Sequence, residues 1–148
     1  MTHMADLGLP SLEVRLPLPA LARWRAGNTG LPGVWRFVGP LPGPSLLISA
    51  AVHGNEIAGA LLLQRWLRDG VRPRRGTLTL VFANLAALDR FDPADPTASR
   101  FIEEDMNRLW APELLGGPRR SVLGPSLRMS RAAPGPLCLP FIKTFPMG

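Results

Sequence analysis

The sequence predicts an α/β fold, a mixed sheet built on one βαβ unit, followed by a tail that does not join it. Three observations carry this. Ser45 to Val52 (SLLISAAV) is a continuous apolar run closed by His53-Gly54-Asn55, the pattern of a strand covered on both faces. Ile57, Ala60, Leu61, Leu63, Gln64, Leu67 and Arg68 then follow a 3.6-residue rhythm. Thr77 to Ala83 (TLTLVFA) returns to the β-branched and aromatic composition of a strand. Strand, helix and strand within about 40 residues make a βαβ unit, with parallel strands and a right-handed crossover.

Each element has its own local reason. The first 44 residues are interrupted by Pro10, Pro17, Pro19, Pro32, Pro40, Pro42 and Pro44, so only short edge strands are expected there. Val34 to Val38, closed by Gly39-Pro40, is one. The helix is expected over Glu56 to Asp69, with Asn55 as N-cap and Gly70 as its C-terminal stop. Arg72 to Gly76 forms a polar loop around Pro73. Phe91 to Ser99, with Asp92-Pro93 and Asp95-Pro96, is a second loop, and Arg100 to Trp110 reads as a short helix.

A chain of 148 residues holds one domain at most. No apolar stretch reaches the roughly 18 residues that span a bilayer, and Met1 to Leu12 lacks the pattern of a signal peptide. The single cysteine, Cys138, forms no internal disulfide, which fits a reducing cytoplasm. The net charge of +6 is unevenly spread. Residues 1–117 hold 12 arginines and all 11 acids, whereas residues 118–148 hold four arginines, one lysine, six prolines and no acid. That stretch reads either as a disordered basic tail or as out-of-frame translation of a GC-rich gene, given 16 arginines to one lysine overall. As a tail, it offers an alternative function, binding nucleic acid or an anionic surface. It lacks the aromatic interleaving of a stacking platform, with only Phe141 and Phe145.

Two constellations can carry chemistry. In His53-Gly54-Asn55-Glu56, an imidazole and a carboxylate three residues apart sit where a strand ends and a helix begins, so both can turn toward one cation. Gly54 is expected to permit the tight turn between them. Nitrogen and oxygen ligands of this kind suit Zn²⁺, and strand C-termini are where open α/β sheets bind ligands. The alternative is a hydrogen-bonded helix cap. The second constellation is Arg100 followed by Asp105-Met106-Asn107-Arg108. Arg108 can hold a carboxylate bidentately, Asn107 adds an amide donor, and Arg100 can stabilise charge developing on a carbonyl oxygen. The alternative is an ion-paired helix face neutralised by Glu103, Glu104 and Asp105.

Taken together, HGNE after an apolar strand, a second strand ending in Asn84, and R-x6-NR within RFIEEDMNRLW resemble the succinylglutamate desuccinylase/aspartoacylase family over about Ser45 to Trp110. The resemblance implies a partial zinc-carboxypeptidase-like fold, with residues 1–117 as the N-terminal part of the catalytic domain. It implies His53 and Glu56 as zinc ligands, Asn107 and Arg108 as binders of the substrate carboxylate, and Arg100 as the residue that polarises the scissile amide. The implied reaction is zinc-dependent hydrolysis of a small acidic N-acyl amino acid.

The sequence departs from the family in two respects. The family's third zinc ligand, a histidine in an Asp-Leu-His context, and its general-base glutamate have no counterpart here. The other histidine is His3, and no acid follows Glu113. The expectation is therefore a weakly active or inactive chain. Leu85 also stands where relatives often carry proline.

Overall fold

The computed structural model describes residues 16–103 and 105–108. Its strands are β1 (Val34–Val38), β2 (Leu41–Ala50) and β3 (Arg75–Phe82). Its helices are α1 (Ile57–Arg68) and a short α2 (Leu85–Leu88). The sheet order is β1-β3-β2, with β3 parallel to β2 and antiparallel to β1. The sheet is thus mixed, and the parallel β2-α1-β3 unit expected from the sequence is present.

Period-two alternation sorts the strand side chains onto two faces. Phe37, Ile48, Ala50, Leu78, Leu80 and Phe82 face α1, which buries Ile57, Ala60, Leu63 and Leu67 against them. Gly59 lets the helix approach closely, since a Cβ there would come within 3.0 Å of the Ala50 Cβ. Trp24 and Trp35 close this core edge to face at 5.5 Å, and the Trp35 indole N–H donates to the Trp24 carbonyl. The opposite face carries Val34, Leu47, Val81 and Met106 among the hydroxyls of Ser45 and Thr79. The SLLISAAV run is therefore apolar toward α1 and partly polar behind.

Boundaries differ from the expectation for identifiable reasons. β2 starts at Leu41 despite Pro42 and Pro44, because its pairing with β3 is irregular between Leu41 and Ser45 and no ladder hydrogen bond is needed at those prolines. Gly70 does stop α1. It has φ +71°, and the Gly70 and Val71 N–H groups donate to Leu67 and Trp66 carbonyls in a Schellman arrangement. Asn55 is not the N-cap: Glu56 occupies that position without a side-chain cap bond, its carboxylate being engaged elsewhere. The helix expected over Arg100 to Trp110 is, among the described residues, only a 3-10 turn at Met106–Arg108. The Asp105 side chain takes the Asn107 N–H, and such local bonds compete with helix formation. Two elements were not expected, the 3-10 turn Ala22–Trp24 and α2. The side chain of Asn84 caps α2 by accepting the Ala87 N–H. Arg25 bridges to Asp89 at 2.7 and 2.8 Å, fastening the N-terminal turn to the end of α2.

The outer edge of β1 is shielded by one side chain. The Asn28 amide accepts the Arg36 N–H at 2.7 Å and donates to the Arg36 carbonyl at 2.9 Å, occupying both ladder positions of that residue.

Candidate metal and substrate site

β2 ends at Ala50, and the next residue bends the chain. Ala51 has φ 55°, in the left-handed region that residues with a Cβ rarely adopt. Pairing with the chain after β3 holds it there: Ala83 N–H donates to the Ala50 carbonyl and Asn84 N–H to the Ala51 carbonyl. The kink sends residues 52–56 out of the sheet at the C-terminal end of its parallel strands, where such sheets bind ligands.

Within that turn Glu56 folds back on the chain. Its Oε2 accepts the N–H groups of Val52 and His53 at 3.1 and 3.2 Å, and its Oε1 lies 3.0 Å from His53 Nδ1. The His53 ring is buried, at 5% exposure for the residue. Its far nitrogen, Nε2, is 2.9 Å from Asp105 Oδ1 and 3.3 Å from the Asn107 side-chain amide. Asp105 Oδ1 also accepts the Asn107 backbone N–H at 2.9 Å, and Oδ2 is 3.7 Å from the Arg100 guanidinium. Burial pushes the Asp105 carboxyl up. The hydrogen bonds from His53 and Asn107 and the charges of His53 and Arg100 outweigh that, holding it below the usual carboxylate value.

An ionised Asp105 can only accept, so it fixes the His53 proton on Nε2. On the other side of the ring, Nδ1 faces Glu56 Oε1, also a carboxylate oxygen. Two electron-rich atoms 3.0 Å apart require a proton or a cation between them. Zinc–nitrogen and zinc–oxygen bonds of about 2.0–2.2 Å place tetrahedral ligands roughly 3.3 Å apart, so this pair is close to the geometry of a two-donor grip. The carboxylate behind the ring is the partner that a metal-ligating histidine usually has. In donor chemistry and spacing, His53 and Glu56 fit zinc. Among the described residues no group of three His, Cys, Asp or Glu side chains converges to hold a metal, because Asp105 lies on the opposite side of the ring.

Of the residues singled out from the sequence, the fold brings His53, Glu56 and Asn107 into direct contact and reaches Arg100 through Asp105. Arg108 follows in the same 3-10 turn, its N–H bonded to the Asp105 carbonyl and its side chain exposed. Asp105 itself escaped the sequence reading, which assigned it only to neutralising arginines. The signal available was its place two residues before Asn107, the spacing at which an Asp side chain accepts a backbone N–H and fixes the turn. Gly54 has no positive φ, so conformational freedom is not why glycine stands there. His3, Glu104, Trp110, Glu113, Cys138 and residues 118–148 lie outside the described residues, and with them the nucleic-acid alternative, which no comparison supports.

The family model of the succinylglutamate desuccinylase/aspartoacylase catalytic domain matches residues 42–132, more than half of the chain. Among curated proteins, the chain is 43% identical over 72 residues to a succinylglutamate desuccinylase of Pseudomonas putida, covering 46% of this chain and 19% of that one. It is 33% identical over 76 residues to an N-acyl-aromatic-L-amino acid amidohydrolase (carboxylate-forming) of Xenopus laevis, covering 50% of this chain and 23% of that one. The chain thus spans about a fifth of the length of the relatives it matches. No solved structure matches. From the profile match and the ordered HGNE and NR motifs it follows that the chain belongs to the succinylglutamate desuccinylase/aspartoacylase family.

Proposed function

We propose that this chain carries the zinc-gripping and carboxylate-reading half of a hydrolase site for N-acyl amino acids, within a carboxypeptidase-like fold. The observation that carries the proposal is the 3.0 Å approach of His53 Nδ1 to Glu56 Oε1 while Asp105 occupies the other ring nitrogen. When bound, zinc supplies a Lewis acid that polarises the amide carbonyl and acidifies water. The chain's own residues do the rest. Asp105 keeps the Nδ1 lone pair aimed outward. Glu56, tethered by two backbone N–H groups, offers one oxygen in a fixed direction. Arg100, more than half exposed and only loosely paired with Asp105, can turn to the substrate carbonyl as negative charge develops on it. Asn107 and Arg108 take the substrate carboxylate, one as an amide donor and the other as a planar fork. His53 and Glu56 provide two of the three protein ligands a catalytic zinc usually takes.

The desuccinylase relatives suggest an N-succinylated acidic amino acid, and the Xenopus relative an N-acylated aromatic one. The arginines favour the acidic class. Isothermal titration with zinc, followed by amine release from N-succinyl-L-glutamate and an N-acetylated aromatic amino acid, tests the assignment. Zinc should bind one to one, and either His53→Ala or Glu56→Gln should weaken it by at least about tenfold. Equal binding by both variants would remove the metal site and the reaction with it.

A further inference from the structure

We infer that Gly54 is a positioning residue that fixes the arginine-bearing segment, residues 97–103 and 105–108, against the metal motif; this rests on the function proposed above. Three backbones meet at Gly54: the turn after β2, the end of α2, and the turn that leads into Arg100. A Cβ at this position would fall far inside van der Waals contact of the Ser99 carbonyl oxygen and of the Ala87 carbonyl group. The Gly54 N–H donates to the Arg100 carbonyl at 3.1 Å. Ser99 is buried at 2% exposure, so its backbone has little room to retreat.

The contacts close a circuit. From Gly54 the hydrogen bond leads to Arg100, whose guanidinium meets Asp105 Oδ2; Asp105 Oδ1 holds His53 Nε2, and His53 is bonded in sequence to Gly54. Displacing the 99–100 backbone by the width of a methyl group therefore withdraws Asp105 from the imidazole and moves Arg100 relative to Glu56. Misplacement by about 1 Å is enough to cost an enzyme two orders of magnitude in rate. The absence of a side chain at position 54 thus sets the spacing between the cation grip and the groups that read the substrate.

The test uses the full 148-residue chain without metal, labelled with ¹⁵N, and reads the His53 ring nitrogens by NMR. The unmodified chain should show a single state in which the Nε2 proton is hydrogen-bonded to Asp105. Gly54→Ala and Asp105→Asn should each turn it into a mixture, and the double variant should look like either single one, because both break the same circuit. A folded Gly54→Ala that keeps the single hydrogen-bonded Nε2 proton overturns the inference. Should Gly54→Ala fail to fold, hydrogen exchange in the unmodified chain decides. A Gly54 amide protected by about 100-fold or more supports the anchoring, and one exchanging at the free-peptide rate overturns it. Neither readout needs zinc or substrate. A chain with this circuit intact that binds no zinc therefore discards the hydrolase assignment alone, and a zinc-binding chain with an unprotected Gly54 discards the positioning role alone.

Discussion

Asp105 accepts a hydrogen bond from one ring nitrogen of His53 and so bears on what the other can bind. Replacing it with Asn keeps the size but halves the acceptor capacity and removes the charge. We expect Asp105→Asn to weaken zinc binding about 10- to 100-fold, read by competition with a chelator. The sign of its pH effect follows from the lowered carboxyl value. A carboxylate easier to ionise in the folded state stabilises the fold above its unfolded value, near 3.9, and loses that contribution as pH falls through the lowered folded value. Urea midpoints of the unmodified chain should therefore drop more steeply below about pH 4 than those of Asp105→Asn; parallel curves would refute this. Ala51 stores strain at the same turn. A left-handed residue with a Cβ costs about 1–2 kcal/mol, which Gly would relieve at an entropic cost of about 0.5–1 kcal/mol. Ala51→Gly should thus leave the melting temperature equal or slightly higher, whereas the β-branched Ala51→Val, at a site with 1% exposure, should lower it clearly. His53 and Glu56 were legible in the sequence because they are three residues apart and meet in one turn. Asp105 was not, because its main partner is 52 residues away.

Among the elements, α1 was the most legible, since its apolar stripe and its glycine stop are local signals that the tertiary structure reinforces. The start of β2 was hidden because Pro42 and Pro44 argue against pairing, yet the irregular register with β3 leaves them no bond to lose. The segment after Arg100 looked helical because its charges suit a helix face. It turned instead to tertiary bonds that a longer helix would not allow. Short α2 was invisible to periodicity, but its start was marked by Asn84, whose side chain accepts the Ala87 N–H at 3.0 Å. The first helical residue, Leu85, occupies the position where a helix tolerates proline best. Because Ala87 abuts Gly54, this four-residue helix belongs to the site's support. Asn84→Ala should cost about 0.5–2 kcal/mol, measurable as a lower urea midpoint with an unchanged slope. An unaffected midpoint would show that packing of Leu85 and Leu88 alone holds the helix.

At the scale of the described residues, the sheet and α1 form a platform, and the residues proposed for the site gather beyond the C-terminal ends of β2 and β3. The platform is held largely by apolar contacts. The Arg25–Asp89 bridge, with both side chains about half exposed, contributes at most about 1 kcal/mol, and less at high salt. The two site segments, residues 52–56 and 97–103 with 105–108, are instead joined by hydrogen bonds from the buried His53 imidazole and from the Gly54 N–H. A cation on Nδ1 strengthens that junction, since it favours the tautomer Asp105 requires, so metal binding should stabilise the fold and not merely occupy it. Ligand linkage at 100 times the dissociation constant is worth about 2.7 kcal/mol, or about 5–10 °C in a domain of this size. Zinc should raise the melting temperature by this order, a chelator should reverse it, and magnesium, which prefers octahedral oxygen ligands, should do little. The same zinc concentration should leave His53→Ala unchanged. A rise of equal size in that variant would mean that zinc acts elsewhere on the chain and that the imidazole is not its ligand.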